Sequence, residues 1–303
     1  MKELILTSTA GDPRNPKTWS GTPNNLIQAL EKESWRIFGI NSKINSMAEK
    51  LFFYSLNRAL GYPFHFMLSS FARKYMANTI KRRIASIDCV KVLHTTTMDV
   101  SPSSIDPLRE HYWMGDYTWN LWSNYTPDIH KYSFKNLQRM DQVEKACFSK
   151  IKHFFPISQF VRDNLVQHYG IEPERITVVG TGRGSIDPYM GEKNYNNGFI
   201  LLVAKNRFED KGGLLLLEAF KIAQRTNPRL QLVIVGDDRY KSLTYDIPNV
   251  TITGFIPWEQ LQQLFNQASL YAMPALNEPW GLVYLEALAC RTPLLGLNRN
   301  SLN

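Results

Sequence analysis

The chain has 303 residues, of which 44% are hydrophobic and 20% charged, a composition typical of a globular protein long enough for two domains. No stretch approaches the roughly 20 apolar residues of a membrane span, and the N-terminal apolar run is too short for a signal peptide. The three cysteines are far apart and follow no metal-ligand spacing, which favours reduced thiols in a cytoplasmic protein.

The net charge of +8 is confined to the N-terminal part of the chain. Residues 1–185 contain 24 Lys and Arg against 16 Asp and Glu, whereas residues 186–303 contain 11 of each. A solvated surface accounts for this excess, and so does attraction to an anionic membrane, a lipid-linked acceptor or a nucleic acid. Composition alone leaves these explanations open.

The first half begins with a predicted strand at residues 4–7 and then a helix, with Thr22 as the expected N-cap and Pro23 as the first helical residue. Residues 43–85 have a helical pattern rich in aromatic and basic residues. Further strands are predicted at residues 90–95, 112–114, 153–156 and 176–179.

In the second half, apolar runs rich in β-branched residues alternate with helical stretches, which is typical of a parallel sheet covered on both faces. The predicted strands are 199–203, 230–235, 250–253, 270–273 and 293–297, and the predicted helices are 214–224, 258–267 and 282–290. Residues 185–198 have the composition of a linker. We therefore predict an N-terminal domain over 1–184 and a C-terminal domain over 199–303.

The helix after Gly281 is apolar on almost every face and contains one charge, Glu286. A buried carboxylate needs a partner or a ligand. Glu286 therefore either pairs within the protein or accepts hydrogen bonds from ligand hydroxyls, such as those of a ribose. Glu278 follows the strand at 270–273, and open parallel sheets bind ligands at the carboxyl ends of their strands.

Glu278 and Glu286, with seven residues between them, resemble the signature of retaining GT-B glycosyltransferases, family 4 (group 1) in particular. The resemblance implies an α/β fold of two Rossmann-like domains facing a cleft. It implies that Glu278 contacts the donor sugar and Glu286 the nucleotide ribose. The donor-binding segment between them is Pro279, Trp280, Gly281 and Leu282.

A second match lies in the loop after residue 203, where Arg207 and Lys211 precede a glycine pair. Two cations in such a loop are usually only surface residues, but they also suit a diphosphate, whose charge needs neutralising. In this register they resemble the diphosphate-binding Arg and Lys of the same family. We expect both to bind the donor and to act in catalysis, together with Glu278.

Three N-terminal residues match the family less closely. Gly21 lies in a loop resembling the glycine-containing loop that approaches the donor phosphate, although a plain turn also explains it. His94 closes a predicted strand and Asp116 follows the one at 112–114, in regions where related enzymes often place a His or Asp that touches the donor sugar. We list both as candidate catalytic residues, with a structural role as the alternative for each.

The resemblance implies transfer of a hexose from a nucleoside-diphosphate sugar to a glycan or lipid-linked acceptor, with no cofactor. No residue cluster suits a hard cation, so we expect no metal site. Family members usually continue beyond the position of Asn303, so we expect an incomplete C-terminal domain. The alternative function is therefore a catalytically weak sugar-nucleotide-binding remnant or regulatory paralogue.

The N-terminal aromatic and basic residues suggest a surface interaction. The region Lys43 to Arg83 suits peripheral attachment to the inner face of an anionic membrane, and a helical insertion explains it equally well. Residues 180–184 imitate a dinucleotide-binding fingerprint, but a polar segment rather than a helix is expected after them. No nucleic-acid-binding module is recognisable.

Overall fold

The computed structural model describes residues 2–43, 47–59, 69–98, 100–126, 129–130 and 132–298. The chain divides into two compact units, residues 1–181 and residues 182–303, close to the predicted boundary at residue 184. Each unit is built around its own five-stranded parallel sheet. The α/β class predicted from the sequence is therefore confirmed.

The N-terminal sheet has the strand order β2-β1-β3-β4-β5. Its strands are β1 (Lys2–Ser8), β2 (Trp35–Asn41), β3 (Lys91–Thr95), β4 (Glu110–Gly115) and β5 (His153–Pro156). The helices of this unit are α1 (Thr22–Lys32), α2 (Met47–Ala59), α3 (Ser70–Ile84), α4 (Pro102–Ile105), α5 (Trp119–Tyr125), α6 (Phe134–Phe148) and α7 (Gln159–Gln167).

Two N-terminal predictions need correction, and a third lies partly outside the described residues. Helix α1 already begins at Thr22, and its N-cap is Gly21 in the left-handed region, with φ of 83°. Residues 176–179 lie beside β5, where Thr177 and Val179 donate backbone hydrogen bonds to Phe154 and Pro156 at 2.9 and 3.0 Å, but apart from the isolated bridge of Ile176 to Phe154 they form no regular strand. The predicted helical region 43–85 contains α2 and α3, while residues 44–46 and 60–68 lie outside the described residues.

The C-terminal sheet has the strand order β10-β9-β6-β7-β8. Its strands are β6 (Ile200–Lys205), β7 (Leu232–Gly236), β8 (Val250–Ile252), β9 (Leu270–Met273) and β10 (Leu294–Gly296). The helices are α8 (Gly213–Thr226), α9 (Trp258–Gln267) and α10 (Leu282–Ala289). All five predicted strands and all three predicted helices are confirmed, with boundaries that differ by at most two residues.

The segment predicted as a linker packs onto the C-terminal unit. Ile186 is fully buried in the core of this unit. The ammonium group of Lys193 donates to the carbonyl oxygens of Phe265 and Cys290, each at 2.9 Å, and to the hydroxyl of Thr292 at 2.6 Å. Because these acceptors lie at the ends of α9 and α10, Lys193 caps both helices.

Each sheet has a topological switch point, where the chain connections leave two neighbouring strands in opposite directions. In the C-terminal sheet the chain runs from β6 to β7 and β8 on one side, and β9 and β10 are added on the other. The switch point therefore lies between β6 and β9. In the N-terminal sheet it lies between β1 and β3. Open α/β sheets bind ligands at the carboxyl ends of the strands at such points.

Candidate functional site

The loops that follow β6 and β9 are joined at the carboxyl edge of the C-terminal sheet. The backbone N–H groups of Leu276 and Asn277 donate to the carbonyl oxygen of Asp210, at 2.8 and 3.2 Å. Gly212 has φ of 75°, and a Cβ atom added there would lie 1.9 Å from the carbonyl oxygen of Pro274. The two loops therefore pack so closely that only glycine fits at position 212.

Arg207 is held in the loop after β6 by two groups. Its Nε donates to Asp210 at 3.1 Å, and its Nη2 donates to the carbonyl oxygen of Asn277 at 2.7 Å. Its Nη1 lies 3.7 Å from Oε2 of Glu278. The guanidinium group is thus fixed on both loops, with its side chain 38% exposed and accessible to a ligand.

Lys211 is buried, with 8% of the residue exposed. Its ammonium group lies 3.6 Å from Oε2 of Glu278 and 3.3 Å from the carbonyl oxygen of Val203. Burial lowers the pKa of Lys211 below its ordinary value, and the nearby Glu278 carboxylate opposes this shift. Two cationic side chains, those of Arg207 and Lys211, therefore lie beside the same carboxylate, and together they suit an anionic ligand.

Glu286 lies in the second turn of α10 and is half-buried. Its carboxylate forms no ion pair or hydrogen bond within the part of the chain that the structure describes. Burial raises the pKa of Glu286 to about 7, against the opposing charges of Lys205 and Lys211. The backbone of Gly184 covers one side of it, because a Cβ atom there would lie 2.8 Å from Oε1 of Glu286.

The segment between the two glutamates forms the entry to α10. Pro279 and Trp280 are half-buried in the loop after β9, Gly281 is the N-cap with φ of 76°, and Leu282 is the first helical residue. A Cβ atom at Gly281 would lie 2.4 Å from the ring of Tyr284. The left-handed turn and this close contact both require glycine.

The N-terminal candidates Gly21 and Asp116 lie in segments that are joined by a hydrogen bond between Trp19 and Asp116. The indole Nε1 of Trp19 donates to Oδ2 of Asp116 at 3.1 Å. Trp19, Ser20 and Gly21 all have positive φ, at 44°, 54° and 83°. Because two of these residues have side chains that disfavour this region, the backbone here is strained.

His94 lies within a buried chain of hydrogen bonds that crosses β1, β3 and β4. Its Nδ1 lies 2.9 Å from the hydroxyl of Thr7, its Nε2 lies 2.8 Å from Nδ1 of His111, and Nε2 of His111 lies 2.7 Å from the carbonyl oxygen of Asp106. Since the carbonyl only accepts, His111 donates to it, His94 donates to His111, and Thr7 donates to His94.

Burial lowers the pKa of His94 to about 3, and the neighbouring His111 adds to the shift. His94 is thus neutral near pH 7, is 5% exposed and has a partner on each ring nitrogen. This placement favours the structural alternative for His94, and its catalytic role stays a prediction.

Lys205 was missed by the sequence analysis. It is the last residue of β6, it is exposed, and its charge acts on both Glu286 and Lys211. The signal available in the sequence was a lysine closing an otherwise apolar strand. Among the residues that the structure describes, no group of three or more His, Cys, Asp or Glu side chains could hold a metal ion.

Residues 190–302 match the family model described as glycosyl transferases group 1. Among curated proteins, the chain is 28% identical over 157 residues to a D-inositol 3-phosphate glycosyltransferase of Segniliparus rotundus, covering 46% of this chain and 35% of that protein. It is 26% identical over 234 residues to the protein of that name from Corynebacterium aurimucosum, covering 63% and 55%.

A third relative is the phosphatidylinositol N-acetylglucosaminyltransferase gpi3 subunit of Schizosaccharomyces pombe, 24% identical over 156 residues, with 48% of this chain and 34% of that protein covered. The matched part of the chain thus spans between about a third and just over half of the length of these relatives.

Solved structures also align over the whole chain. The sucrose-phosphate synthase of Thermosynechococcus elongatus aligns with a TM-score of 0.69 at 17% identity, with 83% of that chain covered. WaaG, described as a glycosyltransferase involved in lipopolysaccharide biosynthesis, aligns with a TM-score of 0.61 at 14% identity, with 82% covered. At these identities the likeness shows the fold alone, and the predicted GT-B class with two Rossmann-like units is confirmed.

Proposed function

We propose that this chain, whose residues 190–302 match the model of group 1 glycosyl transferases, is a retaining family 4 enzyme that transfers a hexose from a nucleoside-diphosphate sugar to a glycan or lipid-linked acceptor. One observation carries the proposal: Arg207 and Lys211 converge on Glu278 at the switch point of the C-terminal sheet, and the charge of Lys211 also acts on the carboxylate of Glu286. This arrangement offers cations to a diphosphate and a carboxylate to ribose hydroxyls.

Arg207 and Lys211 act on the leaving group. As the bond between the anomeric carbon and the diphosphate oxygen breaks, negative charge grows on the diphosphate, and two fixed cations stabilise it. The acceptor oxygen forms the new bond to the anomeric carbon, and the acceptor's proton leaves with the diphosphate. Attack from the face of the leaving group retains the anomeric configuration, and this step rests on the family resemblance.

The two glutamates orient the donor. Glu286, when ionised, accepts hydrogen bonds from the ribose hydroxyls, and Glu278 orients the donor sugar beside the two cations. We expect backbone N–H groups at the tight turn of Gly281 and at the start of α10 to bind the donor, together with Pro279 and Trp280. Transfer proceeds without a cofactor and, in this proposal, without a bound metal, so it should continue in the presence of EDTA.

A thermal-shift screen against UDP-, GDP- and ADP-sugars tests donor binding. One of these donors should raise the melting temperature, and Glu286→Ala should abolish the shift because the ribose loses its acceptor. Glu259→Ala is a matched control, since Glu259 is exposed in the first turn of α9. If no donor shifts the melting temperature, or if both variants respond alike, the donor-site assignment fails.

Turnover separates the proposed enzyme from the alternative remnant. A transferase releases the free nucleoside diphosphate when donor and acceptor are present, whereas a binding remnant takes up the donor without releasing it. Release measured by a coupled assay, and lost in Arg207→Ala, supports the enzyme. Donor binding with no release above the protein-free rate supports the remnant.

We further propose that the protein works in the cytoplasm and attaches peripherally to an anionic membrane through α2 and α3. These helices expose five large apolar side chains: Met47, Leu51, Phe52, Tyr54 and Phe71. Helix α3 also ends in the exposed basic run 81–83. Exposed apolar side chains with basic neighbours suit the surface of a negatively charged bilayer. No helix of the described ranges is long and apolar enough to cross a membrane.

Sedimentation with vesicles containing phosphatidylglycerol tests this attachment. The protein should pellet with these vesicles and not with phosphatidylcholine vesicles, and the double variant Leu51→Ser/Phe52→Ser should stay in the supernatant. Leu108→Ser is the control, because Leu108 is 90% exposed in the same unit outside α2 and α3. Complete recovery of the wild type in the supernatant would show that α2 and α3 are a helical insertion only.

A further inference from the structure

Lys205 has an unusual backbone at the switch point of the C-terminal sheet. It ends β6, the central strand, and the pairing of β6 with β7 shifts register between Val203 and Lys205. Its φ is 53°, in the left-handed region. The N–H of Asp237 donates to its carbonyl oxygen at 2.8 Å, and a Cβ atom at Gly236 would lie 2.5 Å from the same oxygen. The neighbouring strand therefore holds this conformation in place.

The other left-handed residues of this unit have local explanations that Lys205 lacks. Among its described non-glycine residues, only Asn249 and Arg291 share a positive φ, at 58° and 57°. Asparagine tolerates this region, and Arg291 follows the C-terminus of α10, where a left-handed residue commonly ends a helix. Lys205 is neither an asparagine nor at the end of a helix, so neither explanation applies to it. Strained residues of this kind concentrate at functional sites, where the surrounding structure maintains them.

The charge of Lys205 is available to a ligand. Its side chain is exposed and forms no ion pair or hydrogen bond with the residues that the structure describes. In contrast, Arg207 and Lys211 both already lie near Glu278. Lys205 is nonetheless part of the same edge of the sheet, because it ends β6 at the switch point, two residues before Arg207, and its charge also lowers the pKa of Glu286.

We propose that Lys205 is a donor-binding residue whose ammonium group contacts the phosphate next to the nucleotide ribose, between Glu286 and Lys211. This inference rests on the proposed function, which places the ribose at Glu286 and the diphosphate at Arg207 and Lys211. The strained backbone directs a third cation to the position where these two parts of the nucleotide join. A charge-assisted hydrogen bond to a phosphate oxygen is the contact that a lysine makes best.

Three variants of the full chain test the proposal by calorimetric titration with UDP, GDP and ADP and with the corresponding monophosphates. Lys205→Asn removes the charge but tolerates the left-handed backbone, and it should weaken diphosphate and monophosphate binding about tenfold or more. Lys205→Arg keeps a cation and should bind within a few fold of the wild type. Arg291→Asn is the control. It removes the charge of another residue with a left-handed backbone, next to the C-terminal end of α10, and should bind as the wild type does.

The melting temperature of the unliganded Lys205→Asn variant should equal or exceed that of the wild type, because asparagine relieves backbone strain. This excludes unfolding as the cause of weaker binding. Three results would overturn the proposal: Lys205→Asn binding as tightly as the wild type, Arg291→Asn losing as much affinity, or a loss for diphosphates but not monophosphates. A wild type that binds none of the three diphosphates would instead overturn the proposed function and this inference with it.

Discussion

The two sheets of this protein obey one topological rule but present different chemistry at their switch points. Between β6 and β9 the loops contain cations and carboxylates, with Arg207 and Lys211 within 4 Å of Glu278. Between β1 and β3 the corresponding position contains neutral hydroxyls, with Thr9 2.5 Å from Thr96. The topology therefore predicts where a ligand-binding edge lies in each sheet, and the side chains at that edge determine which ligands it can bind.

In both sheets, a residue other than glycine with a left-handed backbone lies at the carboxyl end of the central strand. Thr96 directly follows β3 with φ of 75°, and Lys205 ends β6 with φ of 53°. In the N-terminal unit the hydroxyl of Thr96 bonds other protein groups, whereas in the C-terminal unit the ammonium group of Lys205 stays accessible. The two strand ends thus share an unusual backbone and differ in whether the side chain is available to a ligand, and the proposed phosphate contact of Lys205 rests on this difference.

The largest expected effect is on turnover in Lys211→Met. Methionine fills a similar volume but cannot neutralise the departing diphosphate, so kcat should fall about 10²–10³-fold, as for the loss of one group that stabilises transition-state charge. Steady-state kinetics with the donor found by screening measures this. Lys221→Met is the control, because Lys221 pairs with Glu218 on the exposed face of α8. Near-wild-type kcat in a folded Lys211→Met protein would contradict the assignment.

The second prediction is that a change in the N-terminal sheet lowers stability without changing donor binding. His94→Gln breaks the hydrogen-bond chain in the N-terminal sheet and leaves buried polar atoms without partners, so the free energy of unfolding should fall by about 2–4 kcal/mol. Donor affinity should not change. Denaturant titration and calorimetry measure the two quantities. A variant with wild-type stability and no transfer would instead place His94 in catalysis, as the family resemblance implies.

The smallest expected effect is a pH dependence of donor binding. The raised pKa of Glu286, about 7, means that lowering the pH through 7 protonates the carboxylate and removes its ability to accept from both ribose hydroxyls. Affinity for a nucleoside-diphosphate sugar should therefore be about tenfold weaker at pH 6 than at pH 8. The diphosphate of such a donor stays ionised over this range. Glu286→Gln should bind weakly at both values, and an equal pH dependence in this variant would assign the titration to another group.

The sequence predicted the C-terminal sheet more completely than the N-terminal one. Strands such as β6 and β9 are buried on both faces and therefore appear as continuous apolar runs. Strand β2 was missed because it is an edge strand whose residues are mostly half-exposed, so its sequence includes Arg36 and Gly39. Residues 176–179 have an apolar pattern, but only Ile176 makes a sheet bridge, and Val178 and Val179 are exposed.

Some residues of the candidate sites could be predicted from the sequence, and others could not. Glu286 could be selected because a single charge in an apolar helix is unusual, and Glu278 because it follows a strand of an open sheet. Arg207 and Lys211 could be selected only through the family resemblance, and the structure places both beside Glu278. The structural chain that contains His94 could not be foreseen, because its partners Thr7 and His111 come from other strands. Lys205 could not be selected from the sequence, because the left-handed backbone that distinguishes it is visible only in the structure.

The packing of the segment before β6 has a practical consequence for dissecting the molecule. Ile186 and Lys193 belong to the C-terminal unit as fully as any strand residue does, since one fills its core and the other caps α9 and α10. A fragment for isolated study should therefore begin at Gly182, where the compact unit starts. A fragment that begins at Phe199 would expose the hydrophobic pocket of Ile186 and leave two helix ends uncapped, and it should aggregate.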